Sequence, residues 1–162
     1  MLALGVYHLL IFFYVRDRSY LYFGFGGISY GLFLLSWAPY SFTTEFLWPS
    51  HPVWNYYFCL SNLIVAAVAT FQFSKLYLET KVHTPRWHVI VSFQQGVCLI
   101  LPVVMVLDLT LFFTLIQLVS ASMILLLVIA ILVARKGYSP AWIYLIVSEF
   151  QSLSLKKEQN CT

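Results

Sequence analysis

The heptapeptide Tyr14-Val15-Arg16-Asp17-Arg18-Ser19-Tyr20 lies between two apolar stretches, residues 1–14 and 20–39, and its charges decide how the chain can be placed. Arginine at the centre of a bilayer costs roughly 2.5 to 3.5 kcal/mol on insertion scales, so Arg16 and Arg18 must sit in water or among lipid headgroups. The heptapeptide therefore reads as a turn at a membrane face, with a membrane-crossing helix on either side.

Composition agrees. The chain is 61% hydrophobic and 9% charged, with a mean hydropathy of +0.85, whereas soluble domains carry about 25% charged residues. Its apolar residues come in blocks of near-spanning length, which makes it an integral membrane protein and replaces domain counting by span counting. The three cysteines, Cys59, Cys98 and Cys161, show neither a CxxC nor a Cys/His spacing, so no disulfide framework or zinc site is expected. The net charge of +3 is spread over separate loops, which argues against a nucleic-acid partner and leaves the lipid bilayer as the first one.

Residues 1–14 lack the basic leader and small-x-small cleavage site of a signal peptide. As a helix they reach only about 21 Å against a hydrocarbon core of about 30 Å, so part of an outer turn is expected to be missing. Residues 20–39 form a second span, in which Gly24, Gly27 and Gly31 offer one face for close helix packing. Residues 40–53 read as a surface loop with Trp48 and Trp54 at headgroup level. Residues 54–77 form a third span, whose Asn55, Asn62 and Thr70 are expected to bond across helices. In the charged loop 75–88, His83 and His88 are separated by Pro85, which spoils the spacing of a metal-binding helix. Residues 89–107 form a fourth span with Pro102 as a candidate hinge, and Asp108 makes a tight turn into a fifth span, 109–134. After the helix-ending Gly137, residues 141–150 begin a sixth helix, and 151–162 form a polar tail that points to truncation or a frameshift. The expected fold is all-α: a polytopic transmembrane helix bundle of about five spans plus an incomplete sixth, with 1–150 as its core.

Counted loop by loop, the lysines and arginines run two, zero, three, zero, two. By the positive-inside rule the loops around Arg16, Lys81 and Arg135 are cytoplasmic, and Met1 and the 40–53 loop face outward.

Three local stretches, Arg16-Asp17-Arg18-Ser19-Tyr20-Leu21-Tyr22, Leu47-Trp48-Pro49 and Arg135-Lys136-Gly137-Tyr138-Ser139-Pro140-Ala141, together with the hydropathy profile, resemble the membrane core of the bacterial seven-transmembrane receptors with diverse intracellular signalling modules. The resemblance implies a transmembrane signal-transduction module in the bacterial inner membrane. It would couple an extracytoplasmic sensor to a cytoplasmic output such as a kinase, cyclase or phosphatase, with neighbouring receptor subunits or signalling modules as partners. It also gives Arg16, Asp17 and Arg18 the part of a cytoplasmic-turn motif, with Asp17 pairing with an arginine. No cofactor, metal or catalytic residue is implied. The alternative is a small polytopic transporter or channel, for which Glu149 is the one acid in an apolar block. Enzymatic chemistry would need acids or a nucleophile near His8 or Asn62, and the first and third spans supply no acid at that depth.

Overall fold

The computed structural model describes residues 1–37, 42–47, 49–138 and 140–143. They form seven helices, α1 (Leu2–Val15), α2 (Arg18–Trp37), α3 (Phe42–Phe46), α4 (Pro52–Tyr77), α5 (Thr80–His83), α6 (Pro85–Leu107) and α7 (Leu109–Arg135). Helix resumes at 140–143, and there is no strand among the described residues. The fold is an all-α membrane-type bundle. The remainder of the expected sixth helix and the 151–162 tail lie outside the described residues, as do residues 38–39 at the end of the expected second span and residues 40–41 and Trp48 of the expected outer loop.

Several boundaries move, each for a local reason. α2 starts at Arg18 rather than Tyr20, because the Asp17 carboxylate accepts the Ser19 N–H at 2.9 Å and so caps the first turn. α4 and α6 start at Pro52 and Pro85, where proline's missing N–H costs nothing in a first turn. Arg86 and His88 therefore lie on α6, not in a loop. The two loops expected to be irregular each contain a short helix, α3 and α5. At Asp108 the carboxylate accepts from the N–H groups of Thr110 (2.8 Å) and Leu111 (3.2 Å), which caps α7 and fixes the tight hairpin with α6.

The long helices alternate in direction. Gly5 meets Ile28 while Leu2 meets Gly31, so α1 and α2 are antiparallel. Phe23 packs on Phe73 and Asn55 reaches Ser36, so α4 opposes α2. Lys75 reaches Ser92 at one end of α4 and α6, and α7 returns from the Asp108 hairpin. The core between α4, α6 and α7 follows a seven-residue recurrence. Ile64, Phe71 and Leu78, then Val91, Cys98 and Met105, then Phe112, Val119, Leu126 and Val133 are all buried. That spacing keeps a stripe nearly parallel to each helix axis, as in helices packed side by side at small crossing angles. The opposite faces carry equally large apolar side chains in the open, among them Phe93, Val106, Leu107 and Ile124. A soluble protein would not leave so much apolar surface uncovered, but lipid covers it at no cost.

Three helices, Val53–Tyr77, Pro85–Leu107 and Thr110–Arg135, are long and apolar enough to cross a membrane by length and composition. α1 is a shorter apolar helix of 14 residues. α2 has 20 residues, but its glycines, serines and tyrosines dilute its hydropathy. The count of five spans therefore rests on α1 and α2 crossing together as an antiparallel hairpin.

Candidate functional site

Alternation of the helices brings every lysine and arginine among the described residues to one end of the bundle. The backbone there passes through left-handed residues: Arg16 (φ 59°), Glu79 (φ 43°) and Gly137 (φ 87°). Arginine and glutamate adopt this conformation at a cost of roughly 1–2 kcal/mol, so the turns are held by their surroundings. Arg16 is held by its N–H, which donates to the Phe12 carbonyl at 2.7 Å. Asp17 corrects one expectation. It forms no salt bridge with an arginine among the described residues, and its carboxylate is used as the α2 cap.

Beyond this turn, α5 ties the basic end together. The Thr80 hydroxyl and His88 Nδ1 lie 2.9 Å apart, and Lys75 Nζ donates to the Ser92 hydroxyl at 3.4 Å. His83 Nε2 lies 3.8 Å from the Glu79 carboxylate. Lys136, at the end of α7, donates to the His83 carbonyl, and the Tyr138 ring packs 4.8 Å from the His83 ring. Burial and then the Glu79 carboxylate push the Tyr138 phenol above its usual range. His83 and His88 thus serve different neighbours, and no group of three or more potential metal ligands occurs among the described residues.

The α1–α2 seam is packed closely around its glycines. A Cβ on Gly24 would stand 2.7 Å from Leu9 Cδ2, and one on Gly31 2.7 Å from Leu2 Cδ2. One on Gly27 would stand 3.3 Å from Gly5 Cα, and one on Gly5 2.8 Å from the Ile28 nitrogen. Backbone therefore lies on backbone, which only glycine permits. Gly26 faces the other way, where a Cβ would stand 3.4 Å from Ala69 Cβ of α4. His8 sits at this seam with Nδ1 2.8 Å from the Leu4 carbonyl and its ring 4.4 Å from that of Phe23.

At the opposite end, Asn55 accepts from the Thr43 hydroxyl at 2.6 Å and donates to the Ser36 carbonyl at 3.1 Å, joining α4 to α3 and α2. Two further polar residues of α4, Asn62 and Thr70, correct the expectation of cross-helix bonding. Asn62 donates to Phe58 O and Thr70 to Ala66 O, both one turn back in their own helix. Pro102 lies within α6, which continues through it to Leu107.

The paired basic turns and glycine-packed first hairpin of this multi-helix bundle coincide with a family match. The family model described as 7TM diverse intracellular signalling matches residues 1–148. The chain belongs to that family. No curated protein and no solved structure matches it. As a member of the 7TM diverse intracellular signalling family it is a membrane protein whose family is consistent with a transmembrane signalling module.

Two features of this family member were not visible in its sequence. Gly5, the partner of Gly27, is a lone glycine in an apolar run, and the His83–Lys136–Tyr138 clasp joins residues more than fifty positions apart.

Proposed function

We propose that the chain is the membrane-spanning relay of a bacterial receptor, taking a signal from an extracytoplasmic sensor domain to a cytoplasmic signalling module, with both modules, or neighbouring subunits, as its partners. Family membership supports the signalling role. The observation that carries the relay reading is the α1–α2 seam, where α1 rests on α2 through glycine contacts and can report a displacement to the rest of the bundle. The chain relays and does not catalyse. It sits in the inner membrane with its basic end in the cytoplasm and Met1 outside, as the positive-inside rule requires.

The test is Gly27→Leu in a full-length receptor of this family. Changes along a coupling element shift signalling equilibria by about 0.5–2 kcal/mol, so output at a fixed stimulus should change by roughly 2- to 30-fold while the sensor domain's ligand affinity stays within twofold. Unchanged output would remove the relay reading.

A further inference from the structure

A groove of about 340 Å³ opens between the first turn of α6 and the last turn of α7, lined by Thr84, Pro85, Arg86, Trp87, Leu132 and Lys136. Its two cations come from different helices. Arg86 is exposed and has no hydrogen-bond or ion-pair partner among the described residues. Lys136 is also exposed and is steadied by its bond to the His83 carbonyl, which occupies one of its three donors. Below them the walls change character: the Trp87 ring, half-buried against the core, and Leu132, one turn before Lys136, are apolar. The groove therefore grades from positive to apolar inward along α7, from Lys136 to Leu132.

We infer that this groove binds one anionic phospholipid. The headgroup phosphate lies between Arg86 and Lys136, and the upper part of an acyl chain lies against Trp87 and Leu132. The occupant is chosen by charge and by level. A zwitterionic lipid brings its own cation to the two already present, whereas phosphatidylglycerol or a similar lipid brings a net negative charge. Arginine takes such a phosphate with paired N–H donors, and basic pockets between membrane helices favour anionic headgroups. A soluble phosphate would leave the Trp87 and Leu132 walls unused. The groove also joins α6 to α7, so a lipid seated there would bridge the two helices at the end opposite the Asp108 hairpin.

The test uses the whole chain in mild detergent. Photoactivatable phosphatidylglycerol, and phosphatidylcholine with the same reactive chain, are cross-linked to the wild-type protein and the labelled peptides are sequenced. The expected label falls on residues 84–87 or 132–136, about tenfold stronger for phosphatidylglycerol. Label elsewhere at the basic end, or equal label from both lipids, overturns the inference. Excess glycerol phosphate should compete weakly; competition as strong as that of unlabelled phosphatidylglycerol would mean a soluble anion site and also overturns it. R86Q/K136Q should remove the preference and R86K/K136R should keep it. R16Q/R18Q, which removes the same charge from the α1–α2 turn, should leave it unchanged; an equal loss there would reduce the effect to general attraction at the basic end.

Discussion

Asn55 shows how much one amide can hold in a bundle whose core is apolar. Its two polar atoms link a hydroxyl of α3 to a carbonyl in the last turn of α2. Asn55→Leu is close in volume but takes a partner from each, and a buried polar group left short costs about 1–3 kcal/mol. That loss should appear as earlier unfolding in a denaturant titration in detergent, and Thr43→Val in the same background should add less than it costs alone. Tyr138 gives a pH signature at the same scale. Its phenol is raised above the usual 10.0 by burial and by Glu79. The unfolded phenol therefore ionises first as pH rises, so the contribution is complete below pH 10 and is lost as pH climbs through the folded value. Wild type should lose stability above pH 10 more steeply than Tyr138→Phe; parallel alkaline limbs would contradict this. Single residues also mark where sequence reading stopped short. Asn62 is mid-span and polar, which points to a cross-helix bond, yet a helix always offers the carbonyl one turn back, and sequence cannot choose between them.

At the scale of elements, α2 is two-faced. Gly24, Gly27 and Gly31 are turned to α1, and Gly26 to α4. Gly31→Leu forces a side chain into Leu2, and overpacking of this kind costs about 1–3 kcal/mol. Gly96 on α6 has nothing within 4 Å of a built Cβ, so Gly96→Ala should be neutral or stabilising by up to about 1 kcal/mol. Thermal unfolding of the two variants should separate them, and equal effects would deny the seam its steric basis. The glycine spacing on α2 was legible because small residues recur at one-turn intervals. The seven-residue stripe on α4, α6 and α7 was not, because its lipid-facing side is just as apolar and leaves no contrast to read. α3 and α5 were hidden for the opposite reason: Thr43, Thr44 and Glu45, or Thr80, Lys81 and His83, have the composition of loops.

For the molecule as a whole, the alternating count of basic residues was the most informative sequence signal, since antiparallel packing turns it into a single positive end. Sequence alone could not say which turns meet at that end, because Lys136 and His83 are brought together only by folding. If the bundle crosses the membrane as proposed, single cysteines at Ser50 and Lys81, in a background without Cys59, Cys98 and Cys161, should react with an impermeant reagent from opposite sides of inverted and right-side-out vesicles. Reaction from one side alone would sink the alternating topology.

The fit of α1 on α2 also sets the size of any travel between them. Leu2, Gly5 and Leu9 face Gly31, Gly27 and Gly24 respectively, so each projection on one helix sits in a notch on the other. A slide of half a turn would drive side chains onto backbone. The next notch under Leu9 is Gly27, about 4.5 Å along the axis, but that register carries Leu2 past Gly31 to Leu34 and finds no second notch. The seam therefore works like a keyed joint: α1 cannot creep along α2, and on the relay reading proposed above a displacement of one helix carries the other with it.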